Sequence, residues 1–220
     1  MTLISDTDRR ADTESPLIDI LAERWSPRSY DNTAVIDEAT LTTVLEAARW
    51  APSANNMQPA RFIVARRGSA AFATITAALM GFNRAWADTA SVLIVNVAKL
   101  SIDETRENPW ARYDLGQAVA HLTIQAQHEG LHTHQMGGFD GAAIAEAFNL
   151  TDDQAVGTVT APGVPGKPGD VSPELREREI APRTCLPLRE LLRTNDELRE
   201  RTKCPFAQAK RALSALSRKV

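Results

Sequence analysis

Two arginines and a serine near the N-terminus have the types and spacing needed to bind an anion. They form the segment Arg24-x-Ser26-x-Arg28, which also contains a proline. Arginine side chains bind phosphate oxygens through paired hydrogen bonds, and a serine hydroxyl can satisfy a further lone pair. The segment therefore predicts a phosphate site, although a solvent-facing basic turn would have the same sequence.

A second polar group lies between two prolines, in the stretch Ala51–Pro59. It contains one hydroxyl, on Ser53, and three carboxamides, on Asn55, Asn56 and Gln58. Amides both donate and accept hydrogen bonds, so they suit a flat heterocycle edged with carbonyl groups and ring nitrogens. An ordinary helix-to-strand turn is also rich in these residue types.

The third group is the turn Gly137-Gly138-Phe139-Asp140, which follows a predicted strand and precedes a predicted helix. Paired glycines at such a position let a ligand approach the backbone and expose N–H groups to it. A tight turn without a ligand uses the same residues, so this pattern has low specificity by itself.

Several other kinds of site find no support in the sequence. Gly166-Lys167-Pro168 has proline where a phosphate-binding P-loop has serine or threonine, and no Gly-x-Gly-x-x-Gly follows a strand. His132 and His134 fall on one side of a strand but have no third ligand at matching spacing, so no metal is expected. No Gly-x-Ser-x-Gly elbow is present either, and no nucleophilic catalytic residue is expected.

Composition and charge exclude further classes of function. The chain has 220 residues with 43% hydrophobic residues, as expected for a globular protein with a real core, and its net charge of −3 provides no field for nucleic acid. Residues 1–14 are polar rather than a signal peptide, and no apolar run is long enough for a bilayer. Cys185 and Cys204 have no disulfide or metal spacing. We therefore expect a cytoplasmic protein with reduced thiols and no nucleic-acid or membrane partner.

Hydrophobic periodicity divides the chain into helices and short strands. Three regions are expected: a flexible N-terminal tail at 1–15, one domain at 16–193 and a helical C-terminal arm at 194–220. The predicted helices are Pro16–Glu23, a helix capped by Asp37 that stops at Pro52, Ser69–Met80 stopped by Gly81, Trp110–Glu129, Ala142–Phe148, Pro173–Ile180, Leu186–Arg193, Asp196–Lys203 and Phe206–Arg218. The predicted strands are Arg61–Ala65, Ser91–Ala98, Leu131–Met136 and Ala155–Ala161. This interleaving indicates an α/β or α+β domain.

Taken in order, these segments resemble the FMN-dependent nitroreductase family. The resemblance rests on Arg24–Arg28, Ala51–Pro59, the Gly138–Asp140 turn, the strand ending Gly163-Val164-Pro165, and Arg183 ahead of a Pro-Leu-x-Glu-Leu-like segment. It spans roughly residues 16 to 192. It implies an α+β fold with a nitroreductase-like mixed central sheet wrapped by helices, and an intertwined homodimer with FMN at the subunit interface.

The resemblance also assigns residues to the cofactor. The expected FMN-binding residues are Arg24, Trp25, Ser26, Arg28, Pro52, Ser53, Asn55, Asn56, Gln58, Met136, Gly137, Gly138 and Arg183. The basic residues and Ser26 are expected at the phosphate and ribityl chain, and Met136–Gly138 at the reactive edge of the ring. Asn56 and Gln58 are expected at the polar edges of the flavin, whereas Pro52–Asn55 are expected against the flavin that the other subunit mainly binds.

The implied function is that of an FMN oxidoreductase. NADPH or NADH is expected to reduce the flavin at N5, after which an electron-poor small molecule, such as a nitroaromatic or a quinone, is reduced at the same site in a ping-pong cycle. The segments Lys99–Trp110 and Phe82–Trp86 are the candidate substrate-facing walls. Ala60 and Gly137 replace an aromatic and an acidic residue that family members often carry, so two alternatives stay open: an FMN store without turnover, and a flavoenzyme dedicated to one metabolite.

Overall fold

The computed structural model describes residues 9–192, which fall into two compact units. The first unit contains residues 9–11 and 17–182 of this range, and the second contains 12–16 and 183–192. The helices predicted at Asp196–Lys203 and Phe206–Arg218, together with the arm predicted at 194–220, lie outside the described residues.

The first unit contains four strands and seven α-helices among its described residues. The strands are β1 (Ala60–Arg66), β2 (Val92–Lys99), β3 (His132–Met136) and β4 (Gln154–Gly163). The helices are α1 (Asp19–Glu23), α2 (Glu38–Arg49), α3 (Ala70–Ala78), α4 (Gly81–Ala87), α5 (Ala111–His128), α6 (Gly141–Ala147) and α7 (Pro173–Ile180).

The four strands form one sheet in the order β1-β2-β4-β3. The α+β class predicted from the sequence is confirmed. Each of the three strand pairs is antiparallel, so the parallel pairing that a mixed sheet requires does not occur among the described strands. The edges of the sheet are β1 and β3, which carry two different groups of the predicted site residues.

Helices cover both faces of the sheet, because alternate side chains of each strand point to opposite sides. Phe62 and Ile94 belong to a cluster with apolar residues of α2 and α5. Val95 and Met136 belong to a second cluster with residues of α3, α4 and α6, which includes the fully buried Trp86. We call these the α2/α5 face and the α4 face.

The sequence located most of the helix ends correctly. Asp37 precedes α2 and accepts a hydrogen bond from the Thr40 N–H at 2.7 Å, so this predicted N-cap is confirmed. Gly130 follows α5 with φ of +75°, which is the left-handed conformation expected after a helix. The prediction at Gly81 was wrong, because α3 ends at Ala78 and Gly81 is the first residue of α4.

The second unit includes α8 (Leu188–Leu191), which is shorter than the helix predicted over Leu186–Arg193. The Leu188 N–H donates to the Glu14 carboxylate at 3.0 Å. None of the helices described over residues 9–192 has the length and apolar character needed to cross a membrane.

Candidate functional site

The segment Arg24–Arg28 lies against β3, on the α4 face of the sheet. His134 Nδ1–H donates to the Pro27 carbonyl at 2.8 Å, which fixes the segment to the strand. The Arg24 guanidinium donates to Ser26 Oγ at 3.4 Å. The two arginines also lie close enough together that both act electrostatically on the His134 ring. The structure thus places Arg24, Ser26 and Arg28 close together beside β3, and their role as an anion site stays a prediction.

Glu179, in the last turn of α7, holds the other end of this segment. Its side chain is almost fully buried, and its carboxylate accepts the Arg28 backbone N–H at 2.9 Å. Burial raises the pKa of Glu179 above its usual value and lowers that of Arg28. Within residues 9–192, no carboxylate forms an ion pair with the Arg28 guanidinium. The charge of Glu179 acts on this guanidinium from a distance and partly offsets the lowering of the Arg28 pKa by burial.

Two neutral histidines lie beneath the basic segment. Burial, followed by repulsion from Arg24, lowers the pKa of His132 to about 4. Burial also lowers the pKa of His134 to about 4, with repulsion from Arg28 and Arg24 adding to the effect. Both imidazoles are therefore uncharged at neutral pH, so the positive charge of this region is carried by arginine guanidinium groups.

Trp25 packs between His132 and Arg9. Its ring lies 5.7 Å from the His132 ring in an edge-on arrangement, and the Arg9 guanidinium lies 4.1 Å from the Trp25 ring centre. The Trp25 side chain is thus engaged in packing. This agrees with a role at the cofactor through its backbone.

The paired glycines follow directly after β3. Met136 is buried against the core of the α4 face. The Gly138 carbonyl accepts from the Met80 N–H at 3.0 Å and from the Asn83 side chain at 2.9 Å. A Cβ added to Gly137 would meet no atom within 4 Å, so the backbone is open at this residue. A flat ligand can approach the chain here.

The stretch Ala51–Pro59 is an irregular turn at the start of β1. Asn55, Asn56 and Gln58 have φ of +49°, +56° and +48°, which is the left-handed region that residues with a side chain rarely occupy. The Gln58 amide donates to Asn56 Oδ1 at 2.9 Å, and Ser53 Oγ accepts the Gln58 N–H at 3.0 Å. Three amide residues within four positions thus hold a backbone with left-handed φ values, as is common at ligand sites.

A cavity of about 450 Å³ lies beside this turn, between α2, β1 and the start of α5. Pro52, Ser53 and Gln58 line it, together with the buried Asp114, which accepts the Ala54 N–H at 3.1 Å. Asn55 and Asn56 do not line the cavity.

Within one chain, the turn Ala51–Pro59 and the segment Arg24–Arg28 lie at opposite corners of the sheet. The strands β1 and β3 are the two edges, about 14 Å apart at roughly 4.8 Å per strand spacing. Ala60 aligns through β2 with Ala155, whereas His134 aligns with Ala161, so the corners also differ by roughly 17 Å along the strands. The cavity is on the α2/α5 face and the arginines are on the α4 face. The predicted set is therefore divided in two.

Arg183 belongs to the second unit, and its predicted contact with the phosphate stays a prediction.

Sequence reasoning missed three residues that shape the site: Glu179, His134 as an anchor of Pro27, and Asn83. Glu179 contacts a residue 151 positions away, so no local pattern could have indicated it. The usable signal for His134 was its alternation with Thr133 and Gln135, which face α5 and leave His134 on the α4 face. No group of three possible metal-ligating residues occurs in the part of the chain that the structure describes.

Comparison with known proteins identifies the family. The nitroreductase family model matches residues 21–80 and 70–163. A solved oxidoreductase containing FMN superposes with a TM-score of 0.81 and 31% identity, covering 87% of this chain and 98% of that one. An uncharacterised 15.4 kDa protein of Mycolicibacterium smegmatis is 38% identical over 60% of this chain and 92% of its own length. A Bacillus subtilis protein, provisionally named an NAD(P)H nitroreductase, is 26% identical over 63% of this chain and 83% of its own. The chain belongs to the nitroreductase family.

Proposed function

We propose that the protein is an FMN oxidoreductase that works as a homodimer and takes electrons from NADPH or NADH. The observation that carries the proposal is the arrangement along β3. The cationic segment Arg24–Arg28 and the glycine pair are both attached to this strand: His134 holds the Pro27 carbonyl, and the open backbone of Gly137 follows directly after Met136, the last residue of β3. A phosphate and a flat ring joined by a polar chain match this pair of features.

The donor set fits FMN in its chemistry. Arg24 and Arg28 supply phosphate donors, and Ser26 supplies a hydroxyl for the phosphate or the ribityl chain. The Gly137 and Gly138 backbone can face the flavin, because an added Cβ at Gly137 finds only open space. When bound, FMN would supply hydride transfer between the nicotinamide donor and an electron-poor acceptor such as a nitroaromatic or a quinone. The FMN in the similar solved oxidoreductase supports this choice of cofactor.

The chain's own part in such a reaction is binding, orientation and electrostatics. The arginines hold positive charge beside the site, and the low pKa values of His132 and His134 keep these rings neutral, so they neither donate protons nor compete for the phosphate at neutral pH. The Gly138 carbonyl is saturated by two donors, which fixes the backbone that carries the adjacent N–H groups. Polar groups fixed before the reaction stabilise developing charge without reorganisation.

The separation of the two groups of residues supports the homodimer. Within one chain, Ser53 and Gln58 lie at the corner opposite Arg24 and Arg28. A single flavin can reach both groups only if a second copy of the chain supplies one of them. We infer that each flavin lies between the arginines of one subunit and the amide turn of its partner.

Complementation between two inactive variants tests this arrangement. One subunit carries Arg24→Ala and Arg28→Ala, and the other carries Ser53→Ala and Gln58→Ala. Each variant alone should retain little FMN, whereas the co-expressed heterodimer, separated by two affinity tags, should hold one FMN per dimer. A heterodimer as empty as its parents would show that both groups serve a flavin within one chain, or none.

The electron donor and turnover are tested on the purified wild-type protein under anaerobic conditions. Stopped-flow mixing with NADPH and with NADH should bleach the flavin absorbance, and an added nitroaromatic or quinone should restore it. Flavin that stays oxidised with both donors would contradict the oxidoreductase and indicate an FMN store. Protein that takes up no FMN would contradict both.

A further inference from the structure

We propose that Glu179 is a positioning residue that makes this site selective for the phosphorylated flavin by fixing Arg28. The inference rests on the proposed function, since it takes Arg28 as a ligand of the FMN phosphate. Glu179 itself is expected to touch neither flavin nor substrate.

The contact that carries the proposal joins a buried carboxylate to backbone rather than to a charged side chain. Glu179 is 1% exposed, and one of its oxygens accepts the Arg28 N–H at 2.9 Å. The neighbouring Ser29 N–H adds a smaller effect in the same direction, which lowers the pKa of this carboxylate. The hydrogen bond from the Arg28 N–H to a buried carboxylate fixes the backbone orientation at Arg28, and with it the direction in which the side chain leaves the chain.

The charges around Glu179 explain why a carboxylate is buried here. Arg9 and Arg28 both stabilise its ionised form, against the burial that raises its pKa. Removing one partner of a buried charge pair leaves the other uncompensated, which is costly. Glu179 therefore lowers the cost of keeping the half-buried Arg28 guanidinium in place without capturing it in an ion pair.

The neighbouring contacts make the anchoring rigid. Ser29 Oγ donates to the Lys167 carbonyl at 2.7 Å, and the Gly166 N–H donates to the Ser29 carbonyl at 2.9 Å. Helix α7, which carries Glu179, is capped by Ser172 at its first turn and has Pro173 as its first residue. The backbone at Arg28 and Ser29 is thus fixed by hydrogen bonds to Glu179, Lys167 and Gly166. Among the described residues, Glu179 supplies the only carboxylate that is hydrogen-bonded to the Arg28 backbone.

Comparing FMN with riboflavin separates positioning from general structural support, because riboflavin lacks only the phosphate. Full-length apoprotein is titrated with each flavin, using flavin fluorescence, in the wild type and in Glu179→Ala. We expect Glu179→Ala to weaken FMN binding about tenfold and to leave riboflavin binding unchanged, as for the loss of one hydrogen bond to a charged group. The matched control is Glu177→Gln, two residues away on the exposed side of α7, which should bind both flavins as the wild type does.

Glu179→Gln is a second variant for the case that Glu179→Ala fails to fold, because glutamine keeps the side-chain volume and one hydrogen-bond acceptor. Its FMN to riboflavin affinity ratio should fall about threefold, between those of the wild type and Glu179→Ala. Equal weakening of both flavins in either variant, or an unchanged ratio in Glu179→Gln, would overturn the positioning role.

Arg28→Ala distinguishes failure of this inference from failure of the proposed function. If Arg28→Ala lowers the FMN to riboflavin ratio while the Glu179 variants do not, only the inference on Glu179 is wrong. If Arg28→Ala leaves the ratio unchanged, the phosphate assignment itself is wrong, and the inference fails with it. Adding Glu179→Ala to Arg28→Ala should have no further effect on the ratio, because the two residues act through one contact.

Discussion

Replacing His134 with asparagine should make the protein less sensitive to mild acid. The Asn side-chain nitrogen can occupy the position of Nδ1 and keep the hydrogen bond to the Pro27 carbonyl, which is 2.8 Å long in the wild type. The substitution thus removes the titrating group while preserving its contact. Any change in the pH dependence of stability can then be attributed to the proton on His134.

The pKa values determine whether acid raises or lowers the free energy of unfolding. The pKa of His134 is lowered from 6.5 to about 4 on folding, so between these values the unfolded chain binds the extra proton. The contribution of neutral His134 to the free energy of unfolding is therefore complete above pH 6.5, and it is lost progressively as the pH falls toward 4. One pKa unit corresponds to about 1.4 kcal/mol, so at pH 5 the loss is about 2 kcal/mol for this residue. His132, with the same lowered pKa, adds a similar amount.

Urea denaturation at pH 5.0 and pH 7.5 measures the effect. Glu179 opposes the histidines in this window because its pKa is raised, but its contribution is common to both proteins and cancels in the comparison. The wild type should lose about 2 kcal/mol more than His134→Asn on going from pH 7.5 to 5.0. Equal losses in the two proteins would refute the conclusion that His134 is held neutral by burial and the arginines.

Two replacements of a glycine and one replacement by glycine test the remaining features of the site. Gly163→Ala places a Cβ 2.6 Å from Tyr30 Cδ1, and since Tyr30 is buried with its hydroxyl bonded to Ala161, thermal denaturation should show a loss of about 2–4 kcal/mol. Gly137→Ala meets no atom, so its melting temperature should match the wild type while FMN titration shows weaker binding; unchanged FMN affinity would contradict flavin contact there. Gln58→Gly relieves a φ of +48° but removes the hydrogen bond to Asn56, so the free energy of unfolding should equal that of the wild type or be up to about 1 kcal/mol higher, with weaker FMN binding; a clear loss of stability would show that the hydrogen bond outweighs the strain.

The sequence indicated the elements of the fold much better than their arrangement. Periodicity and capping located α2, α5 and all four strands, because these signals are local. Helix α4 was missed because Gly81 was taken as a stop after α3, whereas here it is the first residue of the next helix. A glycine between two apolar segments can end the first helix or begin the second. Here the packing of Trp86 into the core favours the second helix.

The candidate site was predictable as a set of residues and not as a geometry. Arg24, Ser26 and Arg28 come together because they are neighbours in the chain. The strand order that puts β1 and β3 at opposite edges depends on long-range pairing, which no motif in the sequence encodes. For the same reason Glu179 could not be connected to Arg28 before the fold was known.

The strained backbone of the amide turn and the separation of this turn from the arginines both favour a flavin site shared between two subunits. In one chain, Asn55, Asn56 and Gln58 hold an unfavourable backbone beside a cavity remote from the arginines. Such a backbone costs up to about 1–2 kcal/mol per residue, less for asparagine, and two of the three side chains that hold it do not line the cavity. The strain is understandable if these amides face a ligand that a second chain presents. Recovery of flavin binding in the mixed dimer is therefore also the test of why this turn keeps three left-handed residues.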